Sequence, residues 1–182
     1  MKKIISLMAL SILFTNNVSA ETNTYVSLKY ANGSGTETIE YPGATLKSNF
    51  DMSEISLGIG LILAEDNHIE LNYNTMDTDA NDAKSFGIDY IKSLSRASFE
   101  VGKIKLKPEF DAGLKYYDKV NNTNGIGIRL GLGISAEVST NFELGLGYEY
   151  QYIQWESKST YYGDIDASDT MSDLALFGRF KF

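Results

Sequence analysis

Few residues in this chain have side chains able to do chemistry. There is one histidine, His68, and no cysteine. Thiolate nucleophiles, disulfides and cysteine metal sites are therefore absent from its repertoire. A histidine-based nucleophile system would have to be built on His68 alone. Carboxylates are plentiful, and a hydrolase made only of Glu or Asp pairs remains open. Asp77-Thr78-Asp79-Ala80-Asn81 resembles the opening of a calcium loop. Asp82 stands where such a loop needs glycine and Ile88 where it needs glutamate, so a solvated acidic loop is expected. The 16 glycines recur at strand spacing and not at a strand-to-helix turn, so they make no phosphate-binding loop. No catalytic residue, metal site or cofactor is assigned on these grounds.

The elements that position these residues announce themselves by alternation. From Ile126 to Glu137, Ile126, Ile128, Leu130, Leu132, Ile134 and Ala136 alternate with Gly127, Arg129, Gly131, Gly133, Ser135 and Glu137. Phe142 to Tyr152 repeats the pattern after Ser139-Thr140-Asn141. A period of two is the signature of a strand with two unlike faces. The same reading finds strands around Val26–Tyr30, Ile55–Leu61, Ile69–Tyr73, Phe86–Tyr90, Ile104–Tyr116 and Leu174–Phe182. That makes eight. Long connections are expected at 32–51, 77–84, 118–125 and 156–170, short ones at 64–67 and 139–141. Residues 92–103 read two ways: a longer turn, or a strand continuing through Phe99 and Val101 to a turn at Gly102-Lys103, with a bulge near Ile91. Pro108 cannot donate to a ladder and is expected near one rim.

The first twenty residues stand apart. Lys2 and Lys3 precede an apolar run from Ile4 to Phe14, and Val18-Ser19-Ala20 follows. This is the pattern of a secretory signal peptide, expected to be cleaved after Ala20 and to leave 21–182 as one domain. Removing Lys2 and Lys3 from 16 basic residues, against 24 acidic ones, leaves a net formal charge of −10. That balance argues against nucleic acid as a partner.

Alternation alone does not say which face looks outward. Glycine does. Gly58, Gly60, Gly87, Gly113, Gly127, Gly131, Gly133, Gly145 and Gly147 all fall on the polar face. A solvated outer face has no need of glycine, whereas a narrow barrel interior does, to leave room for long charged neighbours. Tyr30, Tyr73, Phe86, Tyr116, Tyr148, Tyr150 and Tyr152 gather at one end of the apolar faces, and Phe142, Phe180 and Phe182 at the other. Two aromatic girdles suit the two interfaces of a bilayer. The expected fold is an eight-stranded antiparallel up-and-down transmembrane β-barrel. Its polar face mixes both signs, so Lys115, Arg129, Glu143 and Glu149 are expected to bridge across a largely filled interior.

With these residues assembled, the mature chain resembles the small outer-membrane β-barrel family. That family includes opacity-type surface proteins and the membrane domain of the outer membrane protein A family. Leu174-x-Leu176-x-x-x-Phe180-x-Phe182 carries the likeness, with Lys107-Pro108-Glu109-Phe110 and Gly113. Gly178 departs from the pattern at one lipid-facing position. The resemblance implies that Phe180 and Phe182 form a signal read by the barrel-assembly machinery. It implies a monomer in the bacterial outer membrane, in contact with its lipids and with lipopolysaccharide, and able to present loops to an extracellular ligand. Tyr41, Trp155, Tyr161 and Tyr162 are the loop or rim aromatics that could make such contacts. Divalent ions could bridge Asp77, Asp79, Asp164, Asp166 or Asp169 to lipopolysaccharide phosphates. In this topology His68 falls at the periplasmic rim, hydrated, so a structural or surface-interaction role is expected and an enzyme is not. A narrow pore is the alternative, and an enzyme acting on outer-leaflet lipid comes third.

Overall fold

The computed structural model describes residues 23–182 apart from 65, 80, 81, 103, 120–122 and 162. The expected signal peptide, Ala80 and Asn81 of the acidic loop, and Tyr162 lie outside the described residues. Ten strands follow in chain order: β1 (Thr24–Tyr41), β2 (Ala44–Ala64), β3 (Asn67–Thr78), β4 (Ala83–Ser93), β5 (Phe99–Val101), β6 (Ile104–Lys119), β7 (Thr123–Ser139), β8 (Phe142–Trp155), β9 (Lys158–Thr160) and β10 (Gly163–Lys181). Eight of them form a closed antiparallel ring, β1-β2-β3-β4-β6-β7-β8-β10, with β10 returning to β1. Short β5 pairs with β6, and short β9 with β10.

Closure fixes the tilt. Moving along residue partners from Val26 through Ile59, Leu71, Ile88, Leu114, Ile128, Tyr152 and Thr170 returns to β1 at Thr36, ten residues further along. Such a stagger in eight strands demands strands inclined by about 35–45° and an interior that side chains can fill. The outer face then carries the expected apolar residues. Leu174 is 70% exposed, and Phe86, Ile126 and Leu146 are nearly as open. A continuous belt of this kind does not occur on water-soluble monomers and is solvated by lipid.

Glycine's role inside is spatial. A Cβ at Gly60 would lie 2.0 Å from the Tyr25 ring, and one at Gly145 would lie 2.1 Å from the Phe177 ring. These inward aromatics fit only because the opposing residue has no side chain.

Several expected loops are strand. Residues 32–51 form a long hairpin of β1 and β2 closed by Pro42-Gly43, and 156–170 is mostly β9 and β10. Proline at the first turn position and Gly43 at φ 88° suit a type II turn. The alternation fades there because both faces of these segments leave the bilayer. The ladder itself continues, pairing β1 with β10 as far as Glu40 opposite Asp166. Residues 92–103 combine both readings: a 3-10 turn at Ser95–Ala97, then the β5–β6 hairpin, with Gly102 at φ 68°. No bulge is needed at Ile91, which simply points inward. Pro108 lies near the lower end, the end that holds Phe182, where its carbonyl accepts from the Leu94 N–H.

Candidate functional site

The lumen is where the chain concentrates its charge, and three layers of side chains occupy it. The middle layer is a zigzag of ion pairs. Lys115 Nζ on β6 lies 3.1 Å from Glu54 on β2, and Glu54 lies 3.6 Å from Lys29 on β1. Lys29 reaches Glu149 on β8 at 2.7 Å, and Glu149 lies 3.3 Å from Arg129 on β7. Arg129 completes the path to Asp89 on β4 at 2.6 Å and to Asp111 on β6 at 3.2 Å. Glu54 is fully buried. Each ion removed from water costs several kcal/mol, so this layer holds only as a connected set. Neutral groups extend the network. Tyr117 donates to Gln151 at 2.8 Å, Gln151 donates to Asp173 at 3.1 Å, and Asn72 donates to Asp89.

The lower layer centres on Arg179 of β10, 2.9 Å from Glu109 and 3.9 Å from Glu143. Glu143 also lies 3.0 Å from Lys181 and 3.8 Å from Lys107. Ser93 and Ser135 both donate to Glu109. Between the lower and middle layers, beside Gly133 and Gly147, is a cavity of about 30 Å³, room for one water. His68 is buried too, 4% exposed, its ring 5.6 Å from that of Tyr25. The expected hydrated rim histidine is therefore corrected. Its position opens β3, but its parity turns it into the barrel, where Tyr25 covers it.

The upper layer is apolar. Phe50, Met52, Met76, Ala83, Tyr117, Ile153, Trp155 and Met171 form one buried cluster. Trp155 is 2% exposed and donates its indole N–H to Asp169 Oδ2 at 2.9 Å. Lys119 stands 4.8 Å over the same ring and pairs with Glu37 at 3.0 Å. Trp155 is thus not the rim aromatic expected from its place in the chain. Tyr41 and Tyr161 are exposed. The cluster had a signal in the sequence. Within the belt the outward residues are apolar, as with Ile55, Tyr152 and Leu174. Just above it the apolar residues change parity, to Met52, Ile153 and Met171. Once a strand rises out of lipid its outer face meets water, so the only apolar refuge is the lumen.

Lys115, Arg129 and Glu149 all belong to the middle layer, whereas Glu143 belongs to the lower one. Lys105 and Glu137, on the same polar parity, are exposed at the lower rim. Phe180 and Phe182 lie on the outer face, with ring centroids 5.3 Å apart. Among the described residues no group of His, Asp or Glu has the arrangement of a metal site.

Ring closure, outward apolar belt and charged lumen define a transmembrane β-barrel of the small outer-membrane kind. Comparison with solved structures agrees on the fold. Outer membrane protein H of Pseudomonas aeruginosa (OprH) is 17% identical, with 88% of this chain covering 99% of that one at a TM-score of 0.50. Neisserial surface protein A is 18% identical over 88% of this chain and 98% of its own, TM-score 0.49. The N-terminal barrel of Pseudomonas aeruginosa OprF is 17% identical over 87% and 98%, TM-score 0.47. No protein-family model matches the chain, and no curated protein does.

Proposed function

We propose that this is an outer-membrane barrel with a structural or surface-interaction role and a closed lumen. The observation that carries the reading is the path of ion pairs from Lys115 to Asp89, which crosses the lumen and lies beneath the apolar cluster around Trp155. Ions would have to displace a connected charge layer and then an apolar one. The barrel contacts the lipids and lipopolysaccharide of the membrane, and Phe180 and Phe182 serve its assembly machinery. The protein acts as a monomer. The extracellular ends of β1, β2 and β10 offer a surface to an external ligand, with Tyr41 and Tyr161 among its exposed aromatics.

Conductance of the refolded protein in planar bilayers tests the closed lumen. Silence is expected; discrete openings of stable size would replace this reading with the pore. Lipid A compared by mass from cells with and without the protein is expected to be unchanged. A shifted acyl or phosphate pattern would instead support an enzyme.

A further inference from the structure

The lipid-facing belt is uneven, and over β3–β4 it is closed off residue for residue. On β3 the outward residues run Asn67, Ile69, Leu71, Tyr73, Thr75, and on β4 they run Lys92, Tyr90, Ile88, Phe86, Lys84. The register sets these two series side by side, Thr75 opposite Lys84 and Asn67 opposite Lys92. Three apolar pairs are thus closed off by a polar pair at each end. The lower polar pair is hydrogen-bonded on the outer surface: Asn67 Oδ1 accepts from Tyr90 Oη at 2.6 Å and from Lys92 Nζ at 3.2 Å.

On the adjoining β6–β7 sector, which begins at the strand paired with β4, the belt is far taller. On β7 it runs from Ile126 to Val138, and on β6 from Tyr116 to Ile104, with Phe99 and Val101 of β5 paired alongside. A strand tilted by about 40° and rising about 3.3 Å per residue gains about 2.5 Å of height per residue. The twelve steps from Ile126 to Val138 then span about 30 Å, a full hydrocarbon core. The eight steps from Asn67 to Thr75, polar end to polar end, span only about 20 Å. Leaning the whole barrel would raise the belt on one side and lower it on the other. It would not change the height of either sector.

We propose that the β3–β4 face is a lipid-interaction surface fitted to short or compressed acyl chains, so that the barrel thins the bilayer there and not over β6–β7. Burying both polar ends, with Lys84 and Lys92, in hydrocarbon is opposed by their desolvation, whereas local compression of the lipid costs a fraction of a kcal/mol per Å of mismatch. The lysines mark both edges of the thin sector and can hold them at headgroup level.

The absence of cysteine in the native chain makes the test direct. Thr75→Cys and Asn67→Cys on β3, Asn124→Cys and Val138→Cys on β7, and Leu71→Cys as a mid-belt control are spin-labelled. Each is refolded into dioleoylphosphatidylcholine vesicles, and depth is read from relaxation by oxygen and by a water-soluble nickel chelate. The chelate is expected to reach both Thr75 and Asn67 while Leu71 and Val138 sense oxygen alone. Either β3 end lying deep in oxygen-rich hydrocarbon overturns the proposal. Protection of both ends from both reagents overturns it too, in favour of a second protein covering the face. Chelate access at Leu71 as well would remove the membrane reading itself. In a second measurement, Lys84→Leu with Lys92→Leu is expected to shift optimal refolding toward longer-chain lipids; an unchanged chain-length preference also counts against thinning.

Discussion

Gly113 on β6 faces Asp89 on β4 so closely that a Cβ there would stand 1.8 Å from the Asp89 carboxylate. The same carboxylate holds Arg129 at 2.6 Å and accepts from Asn72. The missing side chain at one position is therefore what allows an ion pair at another.

Gly113→Val is expected to push Asp89 off Arg129. Overpacking alone costs about 1–3 kcal/mol. Loss of the pair adds to it, so the variant should unfold at clearly lower urea than wild type in vesicles, with Trp155 as the reporter. Gly147→Ala, where a Cβ meets nothing nearer than 3.5 Å, is expected to shift the midpoint far less. Equal shifts would show that the space at Gly113 does not matter.

Arg129→Met strands Asp89 and Asp111 without their shared cation and leaves Glu149 to Lys29 alone. Removing one member of a buried charge set costs about 3–5 kcal/mol. Adding Asp89→Asn should recover part of that loss, because one stranded charge is then gone. Lys105→Ala, at the exposed rim, should stay within about 0.5 kcal/mol. Additive losses in the double variant would mean that the two residues do not form a unit.

Asp169 lies above the belt, beyond Ser172 and Thr170, which follow Leu174 on the outer face. Burial pushes its carboxyl up to about 6, against the pull of Lys119, while the indole of Trp155 and Glu37 flank it. A folded-state value above the unfolded one means that the ionised group costs stability. The cost is full above about pH 7, shrinks as pH falls through 6, and is gone below about 3.8. Fluorescence of Trp155, the single tryptophan, is expected to titrate with a midpoint near 6. Asp169→Asn should abolish that step and raise stability at neutral pH. A flat wild-type profile would sink the assignment.

Phe182→Ser removes the last outward ring and its contact with Phe180. Refolding into short-chain vesicles should be little changed, whereas assembly in cells should fall. Equal loss in both settings would make Phe182 a packing residue and not a signal.

Much of this architecture was legible without coordinates, because lipid imposes a simple code. Six apolar residues alternating with six polar ones from Ile126 to Glu137 can form only a two-faced strand, and the glycines at Gly113, Gly131 and Gly145 mark the crowded side. Strand number, the outward face and the identity of the lumen charges follow from that periodicity. Local pattern carries no information on which charges meet. Lys115 reaches Glu54 over 61 residues and Lys29 reaches Glu149 over 120, distances that only ring closure with its ten-residue stagger makes short. The same closure separated Glu143 from the other three expected network members, folded His68 behind Tyr25, and gathered Phe50, Trp155 and Met171 over the charges. Their neighbours lie on other strands, so what each side chain touches was set by register, which no single strand encodes.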